Sequence, residues 1–194
     1  MINLRFRPPR PAIVNDPSRR HFVTALGASA LTIAPCWVRA RTGPTRALRF
    51  DILHTNEKLS VEYVAAGGYL PDALSAVNHL LRDFRTGDVG SIDPALLDLL
   101  HELAAITGSR RAFQVISGYR SSATNESLRQ NSTGVASCSL HVRGQAIDLR
   151  LTDVPLATLR DAARSMRWGG VGYYAVSDFV HVDTGRVRYW YLNP

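Results

Sequence analysis

Cysteine, lysine and long apolar runs are scarce in this sequence. Of its 194 residues two are cysteines, and Lys58 is the single lysine. The longest apolar run, from about Thr24 to Val38, has about 15 residues, whereas a helix that spans a membrane needs roughly 20. The run is therefore too short for a transmembrane helix. The composition as a whole, 45% hydrophobic and 20% charged, is ordinary for a globular protein with one domain.

The first forty residues have the pattern of an export signal. Arg19 and Arg20 form a twin-arginine pair before the apolar run, and residues 38–40 supply a small-x-small cleavage site. We therefore expect residues 1–40 to be a twin-arginine export signal and residues 41–194 to form a single domain. The mature protein is then periplasmic and has no stable membrane span. A signal that stays uncleaved as an anchor is the alternative.

Removal of that segment changes both the charge and the cysteine content. The whole chain carries a net +7, but residues 1–40 hold six arginines and one aspartate, which leaves +2 for the rest. Nucleic-acid binding needs a basic face, and no arginine or lysine cluster after residue 40 supplies one. Nucleic acid is therefore not an expected partner. Only Cys138 remains in the mature chain, so no intramolecular disulfide is expected.

Alternating and helical apolar patterns follow one another along the mature chain. Asp93 and Pro94 are typical of a helix start, and Gly108 is typical of a helix end. The order of these patterns predicts an α+β domain, a small antiparallel sheet with helices packed mainly on one face. The predicted strands cover residues 48–54 and 59–64 (a hairpin), 113–116, 145–151, 170–174 and 179–183, and the predicted helices cover 71–84, 95–106, 125–129 and 155–167.

Two histidines and an aspartate form the pattern H-x6-D … H, which is typical of a catalytic zinc site with one open position. Strand alternation turns Asp148 and His181 away from their apolar neighbours. If their strands are adjacent, both side chains reach one ion, and His141 reaches it from the preceding loop. Iron uses the same ligand types. The ordinary alternative is an Asp148 paired with Arg143 or Arg150, beside two hydrogen-bonded histidines.

Four segments surround these candidate ligands. Ser-Gly-Tyr-Arg-Ser lies at residues 117–121, Ser-Leu-His-Val-Arg-Gly-Gln-Ala-Ile-Asp at 139–148, Gly-Gly-Val-Gly-Tyr-Tyr at 169–174 and Phe-Val-His-Val-Asp-Thr-Gly at 179–185. In combination they resemble the murein endopeptidase K branch of the zinc D-Ala-D-Ala peptidases. The resemblance extends from about residue 48 to residue 190, which is most of the mature chain.

This resemblance implies a fold, a reaction and a site. The fold is that of the hedgehog and D-Ala-D-Ala peptidases, and the reaction is hydrolysis of amide bonds in peptidoglycan stem peptides or their cross-links. One zinc ion per chain has His141, Asp148 and His181 as ligands. Arg120 matches the family's arginine, which stabilises the oxyanion or holds a substrate carboxylate.

The general base is where the sequence departs from the better-known relatives. Many of them have glutamate three residues before the last histidine ligand, or histidine two residues before it. Here those positions are Asp178 and Phe179. Strand alternation turns Asp178 away from the face of His181, unless Asp178 lies in the preceding turn. Asp183 shares that face, and it either acts as the base or orients a ligand.

Two other functions are consistent with the sequence. The missing glutamate favours a non-catalytic, zinc-containing module that binds peptidoglycan, whereas the complete ligand set and Arg120 favour an enzyme. An iron enzyme that activates oxygen is the weaker alternative, because the flanking segments match the zinc peptidases. The pattern determines neither the scissile bond, D,D or L,D, nor an oligomeric state.

Overall fold

The structure, a computed structural model, describes residues 43–131 and 136–191. The predicted export signal and its cleavage site lie outside these ranges. No helix in the described ranges has the length and apolar character needed to cross a membrane.

One mixed sheet carries every strand of the described ranges, in the order β3-β2-β1-β4-β5-β7-β6-β8. Neighbouring strands are antiparallel except for the pairs β1/β4 and β6/β8. The elements are β1 (Arg46–Ile52), β2 (Lys58–Ala65), β3 (Gly68–Tyr69), α1 (Pro71–Leu80), α2 (Pro94–Thr107), β4 (Phe113–Ser117), α3 (Ser122–Asn131), a 3-10 turn (Leu140–Arg143), β5 (Ala146–Arg150), α4 (Leu156–Met166), β6 (Gly170–Tyr174), β7 (Phe179–Asp183) and β8 (Arg188–Tyr191).

The α+β class is confirmed, but the sheet is larger than the small antiparallel one that we predicted. The short strand β3 extends one edge, and β8 extends the other. The pair β1/β4 is parallel, and the segment that joins these strands, made of β2, β3, α1 and α2, is long enough for the crossover that a parallel pair requires.

Helix ends follow their local signals where those signals are strong. α2 begins after Asp93, whose carboxylate accepts the N–H of Ala95 at 2.9 Å, and ends at Gly108, which has a φ of 67°. α1 instead ends at Leu80, short of the predicted Phe84. The chain turns there. The backbone carbonyl of Asp83 accepts the N–H of Gly87 at 2.7 Å, and the N–H of Asp83 donates to the backbone carbonyl of Asp88 at 2.9 Å.

The apolar core is formed by buried side chains of the sheet and of the helices α1, α2 and α4. In β5, Ile147 and Leu149 are completely buried in this core. Because side chains alternate along a strand, Asp148 between them is held on the opposite face of the sheet. The buried side chains that α2 contributes are Leu96, Leu97, Leu99, Leu100 and Leu103.

Candidate metal centre

The structure brings the three predicted metal ligands together. β5 and β7 are antiparallel neighbours, as expected, and their register places Asp148 directly opposite His181. His141 reaches the same point from the 3-10 turn before β5. His181 Nδ1 lies 2.8 Å from Asp148 Oδ1 and 3.2 Å from His141 Nε2, and His141 Nε2 lies 3.3 Å from Asp148 Oδ1. All three side chains are buried.

His141 is oriented by a backbone carbonyl. Its Nδ1–H donates to Gly118 O at 2.7 Å, which leaves Nε2 with the lone pair that a metal requires. Gly118 itself packs against the end of α1, and a Cβ on this residue would lie 2.7 Å from Leu81 O. The glycine of the Ser-Gly-Tyr-Arg segment is therefore needed for the close approach that positions this carbonyl.

His181 is oriented by Asp183, two residues further along β7. His181 Nε2 lies 3.1 Å from Asp183 Oδ2, so Nδ1 is the nitrogen directed at the cluster. The Asp183 carboxylate is fully buried and also accepts the N–H groups of Gly170, Gly185 and the Arg188 guanidinium at 2.8 to 3.1 Å. Burial alone raises the Asp183 pKa, but the hydrogen bonds from His181 and Arg188 outweigh burial and hold that pKa well below its usual value. These contacts favour the orienting role over the base role.

Asp178 is not brought to the cluster. It has a φ of 54° and lies in the turn before β7, where its exposed carboxylate pairs with Arg150. The sequence left open whether Asp178 belongs to the strand or to the turn, and the turn is what the structure shows. The alternative in which Arg150 pairs with Asp148 is wrong, because the Arg150 guanidinium bonds to Asp178 and Gln114.

Arg120 lies beside the three donor atoms. Its Nη2 donates to Asp148 Oδ2, and its Nε donates to Ser117 Oγ at 2.8 Å. Its backbone N–H donates to His141 O at 3.2 Å, which joins the Ser-Gly-Tyr-Arg segment to the 3-10 turn. One oxygen of Asp148 thus faces the guanidinium while the other faces the two imidazoles.

The protonation states of His141 and Asp148 suit metal binding. Burial lowers the pKa of His141, which favours the neutral imidazole. Burial alone raises the Asp148 pKa, but the charge and hydrogen bonds of His141 and His181 outweigh it and hold this pKa well below its ordinary value. Burial lowers the His181 pKa as well, yet the hydrogen bonds to Asp148 and Asp183 give a net rise. A metal ion at this site competes with a proton on His181.

The cluster opens onto a cleft of about 600 Å³. One wall is aromatic: the Tyr174 and Phe179 rings stack at 4.3 Å, and Trp190 Nε1–H donates to Tyr174 Oη at 3.0 Å. The Trp190 ring centroid lies 5.2 Å from that of His181. Trp190 was not among the predicted site residues, because β8 was not among the predicted strands. The run of three aromatic residues at 189–191, which favours a strand, was the available signal.

The donor set fits a transition-metal ion. His141, Asp148 and His181 each offer one ligand atom, and these atoms lie within 4.8 Å of one another. Two imidazole nitrogens and one carboxylate oxygen form a three-ligand set, which leaves room for water or substrate. The groups behind the two histidines, Gly118 O and Asp183, direct the correct ring nitrogens toward one point.

Comparisons with known proteins agree with this arrangement. The model of a family described as peptidoglycan L,D-endopeptidase MepK matches residues 40–190. A curated protein named peptidoglycan L,D-endopeptidase MepK, from Escherichia coli (strain K12), is 44% identical over 179 residues, which cover 90% of this chain and 98% of that protein. A probable peptidoglycan L,D-endopeptidase MepK of Haemophilus influenzae is 42% identical over 179 residues, with 90% and 96% covered.

Proposed function

The chain belongs to the family described as peptidoglycan L,D-endopeptidase MepK, and on this premise we propose that it cuts amide bonds between L and D centres in peptidoglycan peptides. The resemblance stated from the motifs is confirmed at the level of the family, and the chain is a peptidoglycan peptidase. The observation that carries the finer proposal is the buried cluster of His141, Asp148 and His181 at the wall of the cleft.

We assign one zinc ion per chain to this cluster. Imidazole nitrogens and a carboxylate oxygen suit zinc, and three protein ligands are typical of catalytic zinc sites. When bound, zinc supplies Lewis-acid chemistry that acidifies a water molecule and polarises the scissile carbonyl. Gly118 O and Asp183 keep His141 and His181 in the orientation that this chemistry needs.

Arg120 is the residue that stabilises developing charge. Amide hydrolysis places negative charge on the carbonyl oxygen, and a fixed cationic donor beside that oxygen lowers the barrier. The bonds of the Arg120 guanidinium to Ser117 and Asp148 hold it at the wall of the cleft, so it acts without rearrangement. Trp190 and Tyr174 form the aromatic side of the cleft.

Asp183 serves as a positioning residue, and Asp178 takes no part. The carboxylate of Asp183 is completely buried and bonded to several N–H groups, while that of Asp178 lies in a turn and pairs with Arg150. Within residues 43–131 and 136–191, Asp148 is the only carboxylate that lines the cleft. Neither Asp178 nor Asp183 is therefore placed in the cleft to accept a proton from water.

The export pattern of residues 1–40 supports a periplasmic location. The substrate class agrees with it, because peptidoglycan lies outside the cytoplasmic membrane. We therefore propose export by the twin-arginine route and a mature protein that starts near residue 41. The partners in this compartment are stem peptides or their cross-links.

The direct test uses purified protein and cross-linked muropeptides, with and without a chelator, beside a His141→Ala variant. We expect cleavage that the chelator stops, that zinc restores and that the variant lacks. Metal analysis of the same sample should give about one zinc per chain, whereas stoichiometric iron would support the oxygen-activating alternative. Tight binding of the muropeptide without cleavage at any zinc concentration would support the non-catalytic module, which membership of a peptidase family argues against.

A further inference from the structure

The cleft has more positive than negative side chains. Arg85, Arg120 and Arg188 line it, and Asp148 is the one acidic residue among the lining residues that the structure describes. Arg120 is paired with Asp148, and Arg188 is paired with the buried Asp183. Two of the three guanidinium groups therefore already have a carboxylate partner within the protein.

Arg85 differs from the other two arginines. In the described parts of the chain, its guanidinium has neither a hydrogen bond nor an ion pair. The guanidinium lies over the Phe84 ring, whose centroid is 4.2 Å from Arg85 Cζ. A guanidinium that stacks on a ring keeps its in-plane N–H groups available, and these groups match the two oxygens of a carboxylate.

The aromatic support of Arg85 is itself held in place. The His54 and Phe84 rings stack with centroids 4.0 Å apart and an interplanar angle of 13°. His54 also lines the cleft, so two members of this stack, His54 and Arg85, form part of its wall. A side chain that is supported in this way loses less conformational entropy when it binds a ligand.

The backbone of Arg85 is tied to the catalytic side of the cleft. The buried carboxylate of Asp83 accepts the N–H of Arg85 at 3.0 Å and both the N–H and the hydroxyl of Ser121 at 2.9 Å. Ser121 directly follows Arg120 in the chain. The position of Arg85 is thus set relative to the residues that hold the metal ligands.

We propose that Arg85 is a substrate-binding residue that pairs with a free carboxylate of the peptide substrate. The inference rests on the proposed function, because the carboxylate belongs to a peptidoglycan peptide. From the sequence, Arg120 was the candidate both for stabilising the oxyanion and for holding a substrate carboxylate, and the inference divides these two roles between two arginines. Arg85 holds the substrate carboxylate, and Arg120 remains beside the scissile carbonyl.

The test compares two substrates and four proteins. The substrates are a cross-linked muropeptide and the same muropeptide with its free carboxylates amidated. The proteins are the wild type, Arg85→Gln, Arg85→Lys and the control Arg82→Gln, which removes an arginine that pairs with Glu57 and does not line the cleft. KM and kcat are measured with zinc bound, and equilibrium binding is measured by calorimetry after treatment with a chelator. Thermal unfolding shows that each variant is folded.

We expect Arg85→Gln to raise KM for the free-acid peptide about tenfold, because one charge-assisted contact is lost, and to leave kcat within about twofold. On the amidated peptide Arg85→Gln should match the wild type. The KM of Arg85→Lys for the free-acid peptide should lie between those of the wild type and Arg85→Gln. The control Arg82→Gln should have the kinetic constants of the wild type. The inference is overturned if Arg85→Gln binds the free-acid peptide as tightly as the wild type, or if its loss is equal on both peptides.

The two proposals fail in different ways. If the wild type cleaves neither peptide, the proposed function fails, and the binding measurement still decides the role of Arg85. If the wild type cleaves the free-acid peptide and Arg85→Gln is unaffected, the function holds and the inference about Arg85 fails.

Discussion

Asp148 and His181 face each other across the antiparallel pair of β5 and β7, with Oδ1 of one 2.8 Å from Nδ1 of the other. This pairing joins two residues that are 33 positions apart in the chain. Because the opposite sides of both strands are buried in the apolar core, a one-residue shift of either strand would expose apolar side chains, so the register that pairs Asp148 with His181 is strongly favoured.

We predict that Asp148→Asn loses both metal and activity. The substitution keeps the shape of the side chain but removes the charge that balances a divalent ion. Bound zinc should fall well below one per chain, and hydrolysis of muropeptides should fall at least about a hundredfold. Metal analysis and a chromatographic cleavage assay measure the two effects. A variant that keeps full zinc occupancy and full activity would contradict the assignment of Asp148 as a ligand.

The two aspartates near β7 should behave differently. Asp183→Asn weakens the group that orients His181, so zinc affinity or activity should fall about 10- to 100-fold. Asp178→Ala removes one exposed ion pair with Arg150, so activity should stay within about twofold and stability within about 1 kcal/mol. Competition for zinc with a chromogenic chelator, together with the cleavage assay, distinguishes them. Loss of activity in Asp178→Ala with normal zinc binding would identify Asp178 as the base after all.

Substitution of Gly118 should damage both stability and the site. A Cβ at this position would lie 2.7 Å from Leu81 O, a backbone atom that cannot rotate away. We expect Gly118→Ala to lower the free energy of unfolding by about 1 to 3 kcal/mol and to reduce zinc affinity, because Gly118 O orients His141. Gly68→Ala is the matched control, since a Cβ there meets no atom within 4 Å. Equal effects of the two substitutions would argue against the packing explanation.

Asp83 should make stability depend on pH in the acid range. Burial raises its pKa, but hydrogen bonds from Thr124, Ser121 and Arg85 outweigh burial and lower the pKa to about 2. A folded-state pKa below the unfolded one stabilises the protein above pH ~4, and this contribution of roughly 2 kcal/mol is lost as pH falls from ~4 to ~2. Urea unfolding of the wild type and Asp83→Asn between about pH 2 and pH 7 measures it. The difference in the free energy of unfolding between the two proteins should shrink as pH falls. A constant difference would show that titration of Asp83 does not contribute to the pH dependence of stability.

The export proposal is tested with a conservative change. Replacing Arg19 and Arg20 together by lysine keeps the charge but removes the twin-arginine pair, so the protein should accumulate in the cytoplasm with its signal uncleaved. Fractionation and N-terminal sequencing of the exported form check both the route and the cleavage site near residue 41. Normal export of the double variant would exclude the twin-arginine route, and an exported form that retains residue 1 would favour the anchor.

Local signals were sufficient for much of the fold. Asp93, Pro94 and Gly108 marked the ends of α2, because capping depends on residues adjacent in the chain. The alternation of Ile147, Asp148 and Leu149 indicated which face of β5 is buried, because the strand period is two. The edge strand β8 and the early end of α1 at Leu80 were not predicted, since both depend on packing and turn contacts rather than on local periodicity.

The sequence by itself determined the candidate ligand types, their spacing and the family to which the chain belongs. Only the tertiary structure decided which atoms meet: Nε2 of His141, Nδ1 of His181, and Asp183 rather than Asp178 behind the second histidine. It also placed Arg85 in the same cleft as Arg120. The reason is physical. Capping and strand alternation act between neighbours in the chain, whereas ring orientation and cleft charge depend on strand register, on the turn at Asp178 and on contacts between segments far apart in sequence.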